Sequence, residues 1–203
     1  MRIGIIGSGN IGGTLTRRLS ALGHDVTVAN TRGPDSLADL ASETGATPAT
    51  PQEAVAGAEL VVIAVPLRAV PELPDLDGKL VVDANNYYPG RDGRIEAIEG
   101  GAASSRWVAD QLPGARVVKA FNTIQWSHLL EHGRPAGEAG RIALPVAADD
   151  PAAKRTVSDL VEAMGFDAVD GGGLDDSWRQ EPGTPVYGGD LDADATRAGL
   201  QAA

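Results

Sequence analysis

Short apolar runs alternate along this chain with stretches in which apolar positions return at helical spacing, and that alternation predicts the elements. Arg2 to Ile6 is a run rich in β-branched residues and reads as a strand. Ile11, Leu15, Leu19 and Leu22 then share one helical face until Gly23 ends the pattern. Asp25 to Ala29 is a second strand, and Ser36 to Thr44 a helix with Leu37, Leu40 and Ala41 on one face and Gly45 as its cap. Ala46 to Ala49 is a short extended segment, and PQEAVAGA a weak helix. Leu60 to Val65 is apolar without interruption, as a central parallel strand covered on both faces requires, and Pro66 stops it.

Lys79 to Ala84 and Arg116 to Phe121 predict two further strands, separated by a loop rich in Asn, Tyr and Gly and by a helix over roughly Ala102 to Leu112. Gly133 to Gly140 is a surface loop. Ile142 to Ala147 is a strand, Pro151 to Met164 a helix opened by Asp150, and Phe166 to Val169 a strand. The segment GGGLDDSWRQEPGTPVYGG reads as loop, and the chain closes in a short alanine-rich helix. The predicted fold is α/β, a doubly wound Rossmann-type sheet, mostly parallel. It forms one domain over residues 1–203, with 142–203 extending the sheet or forming a small cap.

Composition narrows the chemistry. A chain of 203 residues can bury a full core, and its apolar fraction of 42% contains no run of the 18 residues that a membrane span requires. No basic leader precedes the first strand, so a cytoplasmic location is expected. Without cysteine there is no thiol nucleophile or disulfide, and redox chemistry needs a borrowed cofactor. A net charge of −11 disfavours nucleic acid as a partner. A small anionic ligand then depends on backbone N–H groups or a placed arginine.

Gly7, Gly9 and Gly12 in GSGNIG spell G-x-G-x-x-G between a strand and an amphipathic helix, the context a dinucleotide site needs. Gly7 permits the tight turn, Gly9 leaves room for a pyrophosphate, and Gly12 lets helix and strand approach. The N–H groups of Ser8, Asn10 and Ile11 point at the phosphates with the helix dipole behind them. About 20 residues on, an acid would normally hold the ribose hydroxyls of NAD. Here the second strand runs into Asn30, Thr31 and Arg32, with Ser36 nearby. A guanidinium and neutral donors suit the 2′-phosphate of NADP instead.

The segments MRIGIIGSGNIGGTL, GHDVTVANTRGP, LVVIAVP, KLVVDANN, VVKAFNT, VAADDPAAKRTVSDLVEAMGFDAVDGG and EPGTPVY cover nearly the whole chain. Together they resemble the deazaflavin (factor 420)-dependent NADP oxidoreductase family, whose fold is similar to the N-terminal domain of pyrroline-5-carboxylate reductase. The resemblance implies an NADP(H) across the carboxyl ends of the strands, its nicotinamide near Ala64, Val65, Pro66 and the Ala120 to Asn122 strand end. It also implies a deazaflavin coenzyme as hydride partner and a homodimer. Trp126, Trp178 and the NNYY segment depart locally from that pattern and promise a differently shaped pocket.

Hydride transfer to a deazaflavin needs little acid–base help. Reduction of a small imine, carbonyl or flavin substrate is the alternative, and it requires a proton donor. The candidates are Asp83, Tyr87, Tyr88 and Asn122, with Asn122 preferred because its amide would hold a carboxamide or substrate oxygen. A non-catalytic NADP(H) sensor is the third reading. His128, Glu131 and His132 match the inverted zinc-protease pattern H-x-x-E-H. That chemistry needs a further protein ligand and a peptide cleft, so two histidines on a solvated helix face, and no metal, are expected.

Overall fold

The computed structural model describes all residues from Met1 to Ala203. Eight strands form one sheet: β1 (Arg2–Ile6), β2 (Asp25–Ala29), β3 (Thr47–Ala49), β4 (Leu60–Ile63), β5 (Leu80–Asp83), β6 (Arg116–Lys119), β7 (Ala143–Ala148) and β8 (Asp167–Asp170). Their order is β3-β2-β1-β4-β5-β6-β7-β8. The first six pair in parallel, β7 runs antiparallel to β6, and β8 is parallel to β7. The sheet is therefore Rossmann-like and mostly parallel, and its strand order reverses between β1 and β4, where ligands bind in such folds.

The helices are α1 (Asn10–Ala21), α2 (Ala38–Thr44), α3 (Pro51–Ala56), α4 (Pro89–Asp92), α5 (Glu96–Glu99), α6 (Ser104–Gln111), α7 (Trp126–Glu131), α8 (Pro151–Ala163) and α9 (Ala193–Ala202). In β4 every residue is buried because alternate side chains serve different layers. Leu60 and Val62 join a core with Leu15 and Leu19 of α1, Leu129 of α7 and Val157 of α8. Val61 and Ile63 join a second core with Val55 of α3 and Val108 of α6. Gly4 lets α3 lie directly on β1, since a Cβ there would run into the carbonyl oxygen of Ala54.

Several boundaries shift from the sequence expectation. The strand expected to reach Val65 ends at Ile63, because the following residues turn away into the strand-end cavity. The helix expected over Ala102 to Leu112 occupies Ser104–Gln111. Two single-turn helices, α4 and α5, stand where a plain loop was expected. The weak helix after Thr50 is held by a capping box, the Thr50 hydroxyl and the Glu53 carboxylate each accepting the other's backbone N–H. No helix is long and apolar enough to cross a membrane.

Candidate functional site

The site begins at the glycine turn. Gly7 has φ +110, and a Cβ on it would strike the Ala64 carbonyl oxygen; a Cβ on Gly12 would strike the Gly7 carbonyl oxygen. The first turn of α1 is thus pressed against the ends of β1 and β4. Gly9, by contrast, has no atom within 4 Å of where its Cβ would stand, so the face above it is open. The N–H groups of Ser8, Asn10 and Ile11 find no acceptor within the protein, and no acidic residue sits in the first helical turn. Open space over a row of free donors at a helix N-terminus fits a pyrophosphate.

The end of β2 is tied to this turn through one side chain. The Asn30 amide nitrogen donates to Ser8 Oγ at 2.9 Å and to Ser36 Oγ at 3.0 Å, while its oxygen accepts from the Arg32 N–H at 2.9 Å. Ser36 Oγ in turn donates to the Gly33 carbonyl at 2.7 Å. Thr31, Arg32 and Ser36 are exposed, and the Arg32 guanidinium has no hydrogen bond or ion pair within the chain. Asn30 and Ser36, expected as phosphate donors, are engaged in shaping the loop. The Thr31 hydroxyl and the Arg32 guanidinium are the side-chain groups left unengaged at this strand end.

A cavity of about 370 Å³ lies at the carboxyl ends of β4, β5 and β6, within the usual range for small-molecule sites. Gly9, Asn10 and Ile11 border it on one side and Ala64, Val65 and Pro66 on another, with Asn122 across from them. Ala120 is fully buried behind it and forms no part of its wall. None of the chain's 28 acidic side chains lines the cavity, so the negative field of the molecule is locally relieved where an anionic cofactor would enter. A larger surface hollow of about 510 Å³ lies between the end of β8 and α9, at the edge of the sheet, and contains none of the expected residues.

The polar candidates sort themselves by burial. Asp83 is sealed, its carboxylate accepting from Ser105 Oγ at 2.5 Å and from the Asn85 N–H at 3.1 Å, with the equally buried Lys119 Nζ at 3.6 Å. A carboxylate so enclosed cannot serve as the proton donor considered from the sequence. Asn122 is 4% exposed, and its amide donates to Asn86 Oδ1 at 3.0 Å and to the Gln180 carbonyl at 2.6 Å while accepting from Gln180 Nε2 at 2.9 Å. Its amide, expected to hold a carboxamide or substrate oxygen, is engaged within the chain while the residue borders the cavity: these bonds lock together the ends of β5 and β6 and the 177–180 turn. Nor does it cap α7, whose N-cap is Gln125. Phe121, just before it, is buried with φ +63, a strained backbone for a bulky residue.

Tyr87 is spent as well, its hydroxyl donating between the Gly93 carbonyl and Glu99 and accepting from the Ile95 N–H. Tyr88 is different. Its hydroxyl meets that of Tyr187 at 2.6 Å, and both rings line the cavity. Burial, followed by the Tyr88 contact, pushes the Tyr187 hydroxyl up to about 12, so the Tyr187 phenol keeps its proton at neutral pH. The Arg91 guanidinium lies 5.0 Å from the Tyr88 ring centre and donates to both carboxylate oxygens of Asp92. Burial would raise the Asp92 carboxyl. Arg91 and the N–H groups of Tyr88 and Leu67 outweigh it and hold the carboxyl below the usual aspartate range.

Trp126 is exposed at the cavity rim, whereas Trp178 lies away from it against Arg179. Arg91 and Tyr187 were not marked from the sequence as site residues. Tyr187 arrives from a segment some hundred positions after Tyr88, and only the fold pairs them. The two histidines of HLLEH are not independent on their helix face: their rings stack with centroids 4.3 Å apart, and His128 Nδ1 lies 2.5 Å from Asp190 Oδ2.

The profile of the family described as NADP oxidoreductase, coenzyme F420-dependent, matches residues 2–87. Over 178 residues the chain is 33% identical to Metalloreductase STEAP3 of Rattus norvegicus, taking in 85% of this chain and 34% of that protein. The chain spans less than half the length of the curated relatives it matches. The crystal structure of a hypothetical protein from Sinorhizobium meliloti superposes with a TM-score of 0.78 at 34% identity, covering 92% of this chain and 93% of that one. A protein from Arthrobacter sp. FB24 named as an F420-dependent NADP-reductase superposes with a TM-score of 0.72 at 28% identity, covering 88% and 87%. By sequence and fold together, this chain belongs to the coenzyme F420-dependent NADP oxidoreductase family, whose members are NADP-dependent oxidoreductases.

Proposed function

We propose that the chain transfers hydride between NADP(H) and a second redox partner, and that this partner is a deazaflavin coenzyme. The observation that carries the cofactor reading is the unpaired Arg32 guanidinium at an acid-free strand end beside the open glycine turn. Ser8, Asn10 and Ile11 hold the pyrophosphate through their N–H groups, and Gly9 gives it room. Arg32 and the Thr31 hydroxyl hold the 2′-phosphate, with Asn30 and Ser36 fixing the loop that presents them. Ala64, Val65 and Pro66 form the wall along which the nicotinamide lies. Bound NADPH supplies a hydride that needs only orientation and exclusion of water to reach a stacked acceptor. The cavity walls of Pro66, Ile124 and Trp126 provide that exclusion.

Arg32→Ala should weaken NADPH binding by about 2 kcal/mol, roughly thirty-fold, and leave NADH binding unchanged. Equal affinity for the two nucleotides in both proteins would overturn the assignment. Anaerobic mixing of the protein with NADPH and oxidised deazaflavin should bleach the deazaflavin absorbance. The family description and the name of the Arthrobacter neighbour support that partner.

The Tyr88–Tyr187 pair favours a second reading, reduction of a small imine or carbonyl substrate. Such a reaction consumes a proton at nitrogen or oxygen as the hydride reaches carbon, and a phenol whose neighbour accepts or replaces its proton is a suitable donor. NADPH oxidation by cyclic imines, lost in Tyr88→Phe, together with an inert deazaflavin, would select this reading over the first.

A further inference from the structure

We propose that His128, His132 and Asp190 form a binding site for a divalent transition-metal ion of the zinc type, independent of the nucleotide site. One nitrogen from each histidine and one carboxylate oxygen lie within 4.8 Å of one another. His128 and His132 are a helical turn apart at the end of α7, so both rings project from the same side, and they already stack. The third donor comes from elsewhere in the chain. Asp190 adopts φ +46, one of only two non-glycine residues in the left-handed region, and this conformation turns its carboxylate onto His128. The segment bearing it is anchored by the Gly188 N–H, which donates to the Thr123 carbonyl at 2.7 Å.

Two neutral imidazoles and a carboxylate are the donor set that borderline divalent cations prefer, and water completes the coordination at this half-exposed position. The carbonyl end of α7 adds a favourable dipole for a cation. Closing the three donors to metal–ligand distances of about 2.0–2.2 Å calls for side-chain rotation that unstacks the two rings, and the exposure of His132 and Asp190 leaves room for it. The ion would replace the direct His128–Asp190 contact. Its effect would be to staple the 188–190 segment to α7, and each of these carries a cavity residue two or three positions away, Trp126 and Tyr187. Metal occupancy would therefore stiffen the rim of the cavity without touching its contents.

The test is titration of the chelator-treated 203-residue chain with Zn2+ followed by calorimetry, and with Co2+ followed by visible absorption. One ion per chain should bind, with Co2+ giving the d–d bands of a low-coordinate nitrogen and oxygen site. His132→Ala and Asp190→Asn, both at exposed positions that leave the core intact, should each weaken binding at least ten-fold. His24→Ala, which removes the only other histidine, should leave it unchanged. Absence of stoichiometric binding to the wild type would overturn the proposal, as would affinity unmoved by His132→Ala and Asp190→Asn.

Discussion

Gly12 shows how a single missing methyl group shapes the site. Its Cα faces the Gly7 carbonyl so closely that Ala would drive α1 away from the ends of β1 and β4. Gly12→Ala should cost about 1–3 kcal/mol of stability, read as a lower urea midpoint, and should weaken NADP+ binding in the same protein. A variant that bound NADP+ normally would show that the helix can shift without disturbing its free N–H groups. The shape of the glycine turn and the place of Arg32 at the end of β2 were legible in the sequence because they are set by local backbone and near neighbours. Tyr187 and Asp190 were not, since their partners Tyr88 and His128 lie far away along the chain. The partners of Asn122 were hidden for a related reason: Asn86 and Gln180, which engage its amide, are supplied by other elements.

At the scale of elements, the long strands and helices announced themselves through periodicity, whereas α4 and α5 could not. Four residues make one helical turn, too few to display a repeating face. What fixes α4 is Pro89 at its start and the Asp92 side chain, which accepts the Leu67 N–H at 2.9 Å and the Tyr88 N–H at 2.9 Å and so ties this turn to the segment after β4. Because the folded-state carboxyl of Asp92 lies below its ordinary value, its contribution to stability is full above about pH 4 and is lost as the pH falls through the folded value. Asp92→Asn should lower stability at pH 7 by on the order of 2 kcal/mol. Denaturation midpoints of the two proteins should draw together as the pH falls from about 4 through the folded value, and a gap that persisted below that value would show that the charge of Asp92 is not what stabilises the turn. The same substitution should loosen Arg91 and, with it, the Tyr88 ring.

For the whole molecule, the order β3-β2-β1-β4-β5-β6 places the reversal of the sheet beneath the cavity, while β7 and β8 widen the sheet on one side. The antiparallel junction between β6 and β7 is short, with two residue pairs in register. The main core nevertheless crosses it: Ile3, Val28 and Val118 belong to the same buried cluster as Leu144, Val157 and Phe166. We therefore expect residues 1–203 to unfold as one unit, with a single calorimetric transition whose van't Hoff and calorimetric enthalpies agree. Two resolved transitions would instead mark 142–203 as a separate unit. The antiparallel turn of β7 was not foreseeable from its apolar pattern, because a fully buried strand reads the same in either direction.

The knot at Asn30 carries an evolutionary consequence. Its neighbours are two hydroxyls, Ser8 and Ser36, that can either give or take a proton, and one backbone N–H, at Arg32, that can only give. A carboxylate in place of the amide would find all three able to donate to it once the hydroxyls rotate, Ser36 giving up its bond to the Gly33 carbonyl. On the proposed assignment, the loop is thus already wired for the acid that selects NAD. Its preference for the phosphorylated nucleotide rests on a shallow commitment that one base change in the Asn30 codon would put in question.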